Sequence, residues 1–205
     1  MITSTRRALA ACAFALTAVA ATAASAAPTI TLKEVCAAQK GWGDALVAIS
    51  TAYDEQGFDK AKALAVAAID SAYGYNLGPV LFKPTLTHVP QTFRLTKEGA
   101  LAYFVGRDPK YPDDKGFALG HWRSVEVRNV GVQINGDVAS TMGNVLIRNK
   151  AGAVTTVDKT WTFKKSDDGS VRIILHHSSL PVPVDVSIDP VPEPGSDPCA
   201  PKPAG

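Results

Sequence analysis

No excess of charge, no second apolar run and no cluster of metal-binding side chains mark this chain, and each absence removes a class of function. Basic and acidic residues number 21 and 19 among 205, so neither nucleic acid nor an anionic membrane surface is expected as a partner. The four histidines, His88, His121, His176 and His177, lack metal-ligand spacing, and the few cysteines are too far apart for a cysteine-rich zinc site. Asp108, Asp113 and Asp114 miss the EF-hand spacing and read as a solvated loop. No nucleophile elbow, phosphate loop, metal-binding helix motif or dinucleotide fingerprint is present. No metal and no cofactor are therefore expected.

The one apolar run lies at the start. Arg6 and Arg7 precede Ala8 to about Ala21, and Ala24-Ser25-Ala26 forms a small-residue cleavage signal. The run is too short to be a stable membrane span. Cys12 sits near its start rather than after it, unlike an acylated lipoprotein cysteine. Residues 1–26 read as a signal peptide cleaved after Ala26, which places the mature protein in the periplasm or outside the cell. Without those residues the chain has 19 basic and 19 acidic groups and no net formal charge. It keeps Cys36 and Cys199, which oxidising surroundings favour as an intrachain disulfide over free thiols or an intermolecular bridge. Residues 27–182 suit one domain. Residues 183–205 form a proline-rich tail, an extended linker or wrap.

Thr31-Leu-Lys-Glu34 is a capping box that opens a helix, and Val35, Ala38, Trp42, Ala45, Leu46, Ile49, Ala52 and Tyr53 recur at helical spacing to Gly57. Gly41 and Gly43 allow a kink. An alanine-rich helix follows from Phe58 to Tyr73. Pro79 to Pro84 is a short edge strand, and Thr96 caps a third helix, Lys97 to Val105. From Gly120 the period changes to two. Trp122 to Ile134, with a bulge at Asn129 to Gly131, turns at Asn135-Gly136 into Val138 to Ile147. Val154 to Lys165 and Ser170 to Ser179 flank a second turn at Asp168-Gly169. This order predicts an α+β roll: N-terminal helices pack on a curved, mostly antiparallel sheet and leave a cone-shaped cavity open at one end.

That order resembles the NTF2-like superfamily, which includes ketosteroid isomerase, scytalone dehydratase and SnoaL-like cyclases. The last hairpin is similar to that of the calcium/calmodulin-dependent kinase II association domain and its bacterial relatives. Lys159-Thr-Trp161-Thr-Phe163, Asp168-Gly169 and His176-His177-Ser178-Ser179-Leu180-Pro181 carry this likeness. His176, Ser178 and Pro181 match the family's histidine, serine and proline. Ser179 replaces a glycine, and His177 stands where Arg or Cys is frequent. The resemblance implies a pocket in the cone and a homodimer through the outer face of the sheet. The kinase-linked function does not carry over to an exported chain without a kinase.

His176 and His177 are adjacent on a strand and so face opposite ways. Parity groups His176 with Arg172, Ile174 and Ser178, the more polar set, and points it to the pocket. It is a candidate general acid/base or, equally, a structural histidine. Asp158 is the second catalytic candidate, by likeness to the carboxylates lining NTF2-like cavities; the alternative is a solvent-facing residue. Tyr103 is the third, as an inward hydroxyl donor. Trp122, Arg123, Lys159, Trp161 and His177 are candidate pocket residues. Tyr53, Tyr73, Tyr75 and Phe104 are expected to wall the cone. These features favour a domain of unassigned activity that binds a small molecule. The alternatives are an isomerase, dehydratase or cyclase, and a non-catalytic assembly domain.

Overall fold

The computed structural model describes residues 28–183 and 197–200. The proposed signal peptide and most of the proline-rich tail lie outside the described residues. Helix α1 spans Leu32–Gln56 and α2 spans Phe58–Ala72. Strand β1 is Leu81–Lys83, and α3 is Lys97–Val105. Strands β2 (Trp122–Asn135), β3 (Val138–Asn149), β4 (Val154–Lys165) and β5 (Val171–Ser179) complete one sheet in the order β1-β5-β4-β3-β2. The last four form an antiparallel meander, whereas β1 runs parallel to β5 at the edge.

The capping box at Thr31 and Glu34 is formed, which satisfies the first free N–H groups of α1. Gly41 and Gly43 do not interrupt the helix, and α1 continues unbroken to Gln56. Gly43 instead lets the helix approach the sheet: a Cβ there would lie 3.0 Å from a methyl of Val125. The first hairpin turn falls one residue later than expected. Asn135 still pairs with Val138, so Gly136 and Asp137 make the loop, and Gly136 takes the positive φ of 60°. The bulge at Asn129 to Gly131 is present, and β3 meets it with Gly143, where a Cβ would lie 2.0 Å from the Arg128 carbonyl oxygen.

Helices cover the inner face of the sheet, but the cone is filled rather than hollow. Trp42, Tyr73, Phe82, Phe104, Trp161 and Phe163 are all buried inside it. The interior void bordered by Trp42, Leu46, Ile69, Tyr73 and Phe104 is only about 20 Å³. A larger hollow of about 420 Å³ lies at the mouth, between Thr85, Tyr103, Phe117, Trp122 and Leu180. Aromatic side chains are large and interdigitate at crystal-like density, so a sheet this curved closes on them. Cys36 and Cys199 form a disulfide that ties Asp197–Ala200 to α1.

The loop after α3 is not simply solvated. Asp114 is buried and accepts two bonds from Arg94, Nε to Oδ2 at 3.0 Å and Nη2 to Oδ1 at 2.8 Å. The Arg94 guanidinium also lies 4.6 Å from the Tyr111 ring centroid. Removing one partner strands the other charge in a low-dielectric site. Arg94→Met is expected to cost about 3–5 kcal/mol, measured by urea unfolding against the wild type; a loss near zero would show that the pair is solvated.

Candidate active site

A polar cluster is buried where β5, β4 and β1 meet the C-terminal end of α2. His176, Lys159, Ser178 and Thr85 are the polar members that the sheet and the chain after β1 supply, and all are buried. Their convergence depends on a bulge in β5. Leu175 pairs with Thr162 and Ile173 with Phe163, so Ile174 is an extra residue. Both Ile173 and His176, three residues apart, therefore point inward. The sequence grouping of His176 with Arg172 and Ile174 fails for this reason, although His176 and Ser178 do share the inner face.

The His176 ring is held on every side. It stacks on Phe82 with centroids 4.4 Å apart and meets Trp42 edge-on at 5.6 Å. Its Nδ1 is 2.8 Å from the Tyr73 hydroxyl, which accepts from Trp42 Nε1 at 3.0 Å. Its Nε2 is 2.7 Å from Lys159 Nζ. That amine also lies 4.7 Å from the Trp42 ring and 5.3 Å from Trp161. Burial lowers the Lys159 pKa to about 7. Burial, then the neighbouring Lys159 and His177, push that of His176 well below the ordinary histidine value, so the imidazole is neutral.

Hydroxyl groups make up the other half of the cluster. Thr85 Oγ1 and Ser178 Oγ are 2.7 Å apart, and Lys83 Nζ donates to the Ser178 carbonyl at 2.9 Å. The Tyr103 hydroxyl faces Thr85 and the Leu86 backbone but is buried without a partner in hydrogen-bond geometry. Its pKa is raised by burial, so it is a protonated donor. Trp161 Nε1 is likewise buried and unpaired. A hydroxyl left unsatisfied in an apolar wall costs free energy unless something polar meets it. Thr85 and Tyr103 also border the hollow at the mouth of the cone.

Of the other candidates, Trp161 and Lys159 face this cluster, and Trp122 lines the mouth, where its indole donates to the Phe117 carbonyl. Three lie away from this cluster. Asp158 lies on the outer face and accepts from Asn144 Nδ2 at 2.9 Å. His177 is exposed on that same outer face, beside Thr160 and Leu175. Arg123 is drawn to Asp54 of α1, away from the cluster. Strand alternation sends Asp158 and His177 outward, while Asp54 is a contact between distant segments that local patterning does not reveal. Thr85 was missed because it sits just outside a regular element; Tyr73 was expected in the wall of the cone but not as the hydrogen-bond partner of His176. Ser178 had a signal, its spacing two residues beyond His176. Among the described residues, no group of three or more His, Cys, Asp or Glu is placed to hold a metal ion.

The fold, helices over a curved five-stranded sheet, is that of the NTF2-like class. A chain of the calcium/calmodulin-dependent protein kinase II association-domain type from Xanthomonas campestris shares it at a TM-score of 0.50 and 20% identity, covering 78% of this chain and 99% of that one. Within that class, residues 33–180 match the family described as metal-independent carbonic anhydrase. A metal-independent carbonic anhydrase of Nostoc sp. (strain PCC 7120) is 64% identical over 152 residues, 74% of each chain. A cyanobacterial iota-carbonic anhydrase crystallised with bicarbonate superposes at a TM-score of 0.76, with 59% identity over 80% of this chain and 100% of that one. The chain belongs to the metal-independent carbonic anhydrase family. This corrects the sequence reading of a domain with unassigned small-molecule binding, and with it the isomerase, dehydratase, cyclase and non-catalytic alternatives. Their common error was to take function from the shared fold, which hosts many chemistries.

The buried amine makes stability depend on pH. With a folded pKa of about 7 against an ordinary 10.5, the unfolded chain binds the extra proton between those values. Stability therefore rises with pH across that window, by about 1.4 kcal/mol per pH unit from this group. Lys159→Met removes the slope. Its stability relative to wild type is expected to be about 3 kcal/mol more favourable at pH 7 than at pH 9.5, measured by denaturant unfolding at both; equal differences would show an amine with an ordinary pKa.

Proposed function

We propose that this protein interconverts carbon dioxide and bicarbonate at the His176–Ser178 cluster, without a bound metal. Family membership gives the reaction class, and the observation that carries the site is the unpaired Tyr103 hydroxyl beside Thr85, whose own hydroxyl meets that of Ser178. Carbon dioxide is apolar and suits the hollow at the mouth of the cone, where Tyr103, Phe117, Trp122 and Leu180 form the wall beside Thr85. As water attacks its carbon, negative charge develops on an oxygen. Preoriented hydroxyl donors stabilise that charge more strongly in a dry site than in water, because they need no reorganisation. Tyr103, Thr85 and Ser178 supply such donors. His176 is neutral and fixed by its ring contacts, so it orders the wall rather than adding charge.

The test is stopped-flow hydration of carbon dioxide by the purified chain. Activity is expected to survive chelation with EDTA. Tyr103→Phe is expected to lower kcat/KM by about 10²-fold while leaving the melting temperature near wild type. Activity lost on chelation, or a Tyr103→Phe variant as active as wild type, would refute this site.

We also propose export and a homodimer through the outer face of the sheet. The disulfide supports an oxidising compartment. Leu81, Phe93, Leu95 and Met142, exposed around an outer hollow of about 470 Å³, support a self-contact. Native mass spectrometry of periplasmic material checks both. A dimer of oxidised chains beginning at Ala27 is expected; monomers count against the interface, and uncleaved chains against export.

A further inference from the structure

Nothing polar aims the Tyr103 hydroxyl. It is buried and has no hydrogen-bond partner among the described residues, so ring packing decides where it points. Three rings meet the phenol. Phe82 meets it edge-on with centroids 5.8 Å apart, and Phe104 does so at 5.7 Å. Phe117 lies flat against it, at 5.5 Å and 15° between the planes. Phe82 and Phe104 are buried on β1 and α3. Phe117 is only half-buried and stands on a single 3₁₀ turn, Phe117–Leu119. The hydrogen bonds of such turns have poor geometry. The stacking ring therefore needs a fastening from elsewhere in the fold.

Trp122 supplies that fastening. Its indole N–H donates to the Phe117 carbonyl at 2.6 Å, and its ring centroid lies 5.6 Å from that of Phe117. Trp122 is anchored in turn. Its backbone N–H donates to the Oγ of buried Ser50 on α1 at 2.6 Å, and it opens β2 opposite Asn149. The helix and the sheet thus hold the indole, the indole holds the turn, and the turn holds the ring on Tyr103.

The backbone leaves room for this contact. Gly120 adopts a φ of −78°, which any residue can take. A Cβ there would nevertheless lie 2.6 Å from Cε2 and Cζ2 of the indole. The indole, and not the turn, requires glycine at this position. Tyr103, Phe117, Gly120 and Trp122 all border the hollow at the mouth of the cone, beside Thr85.

Resting on the function proposed above, we propose that Trp122 is a positioning residue of the reaction: its indole N–H fixes Phe117, and Phe117 holds the Tyr103 phenol where its hydroxyl meets the developing negative charge. A donor contributes to the rate only as far as it is aimed before that charge develops. A misplacement of about 1 Å can cost about 10²-fold in rate. Trp122 acts through Tyr103, so its effect has to vanish when the Tyr103 hydroxyl is absent.

The test is a double-mutant cycle in stopped-flow hydration of carbon dioxide. Trp122→Phe keeps an aromatic ring and removes the N–H. Gly120→Ala keeps every ring and pushes the indole away from the turn. Each is measured alone and combined with Tyr103→Phe, and circular dichroism confirms folding. The ¹³Cζ NMR signal of Tyr103, identified by its absence from Tyr103→Phe, is recorded for wild type and both single variants. Either single substitution is expected to lower kcat/KM by at least about 10-fold and to shift the Tyr103 signal. In the Tyr103→Phe background neither is expected to lower the rate further. Equal fold-losses in both backgrounds would show that Trp122 only supports the fold, and would overturn this role. An unshifted Tyr103 signal, or a wild-type rate in either folded single variant, would overturn it as well. In those cases a slow Tyr103→Phe variant leaves the site itself standing. An inactive wild type, or a Tyr103→Phe variant as active as wild type, overturns the reading of the site and this role with it.

Discussion

Burial of a lysine amine against a histidine nitrogen, inside a box of aromatic rings, is the constraint around which this protein is built. An ammonium taken from water into such a place loses most of its hydration. No carboxylate offsets that loss, so the group shifts its basicity instead. The surroundings compensate in kind. Trp42 and Trp161 present ring faces to the amine, which attract a cation when one forms. Tyr73 and Trp42 fix the far nitrogen of the imidazole. The cluster can therefore change protonation state without rearranging the fold.

The rest of the architecture keeps that box closed and aimed. Gly143 lets β3 meet the β2 bulge, and the bulge in β5 turns His176 inward beside Ser178. The parallel pairing of β1 with β5 sets Phe82 opposite His176 in the ladder, where the two rings stack. The Arg94–Asp114 pair holds the loop after α3 near Tyr103, whose hydroxyl remains unpaired. At the opposite end, Gln39, Asn129 and the Cys36–Cys199 bridge fasten Asp197–Ala200 to α1 and β2. Separate parts of the chain thus close the roll.

A single fold carries many reactions because its layers are set by patterning while its site is set by a few inward side chains. Likeness in the final hairpin pointed to the right class but to no reaction. The buried residues Thr85 and Tyr103 are ordinary types at ordinary spacings, and neither forms a local motif. Asp158 attracted notice as a carboxylate in a strand, yet the same alternation that buries Lys159 turns Asp158 to solvent.

Local chemistry sufficed for the helices, because a capping box, an apolar stripe at 3.6 spacing and a terminal glycine each act within a few residues. It sufficed for the strands and the first bulge, where period-two alternation and turn residues are equally local. It did not suffice for the facing of His176, since one extra residue at Ile174 shifts the parity of everything before it and is visible only against β4. Nor could it reveal the Tyr73–His176 bond, which joins residues 103 apart. Whether the cone is hollow was likewise decided in three dimensions, by how closely Trp42, Phe82, Phe104 and Trp161 meet. Pattern sets which face of each element is apolar; only packing sets which polar atoms are trapped together behind it.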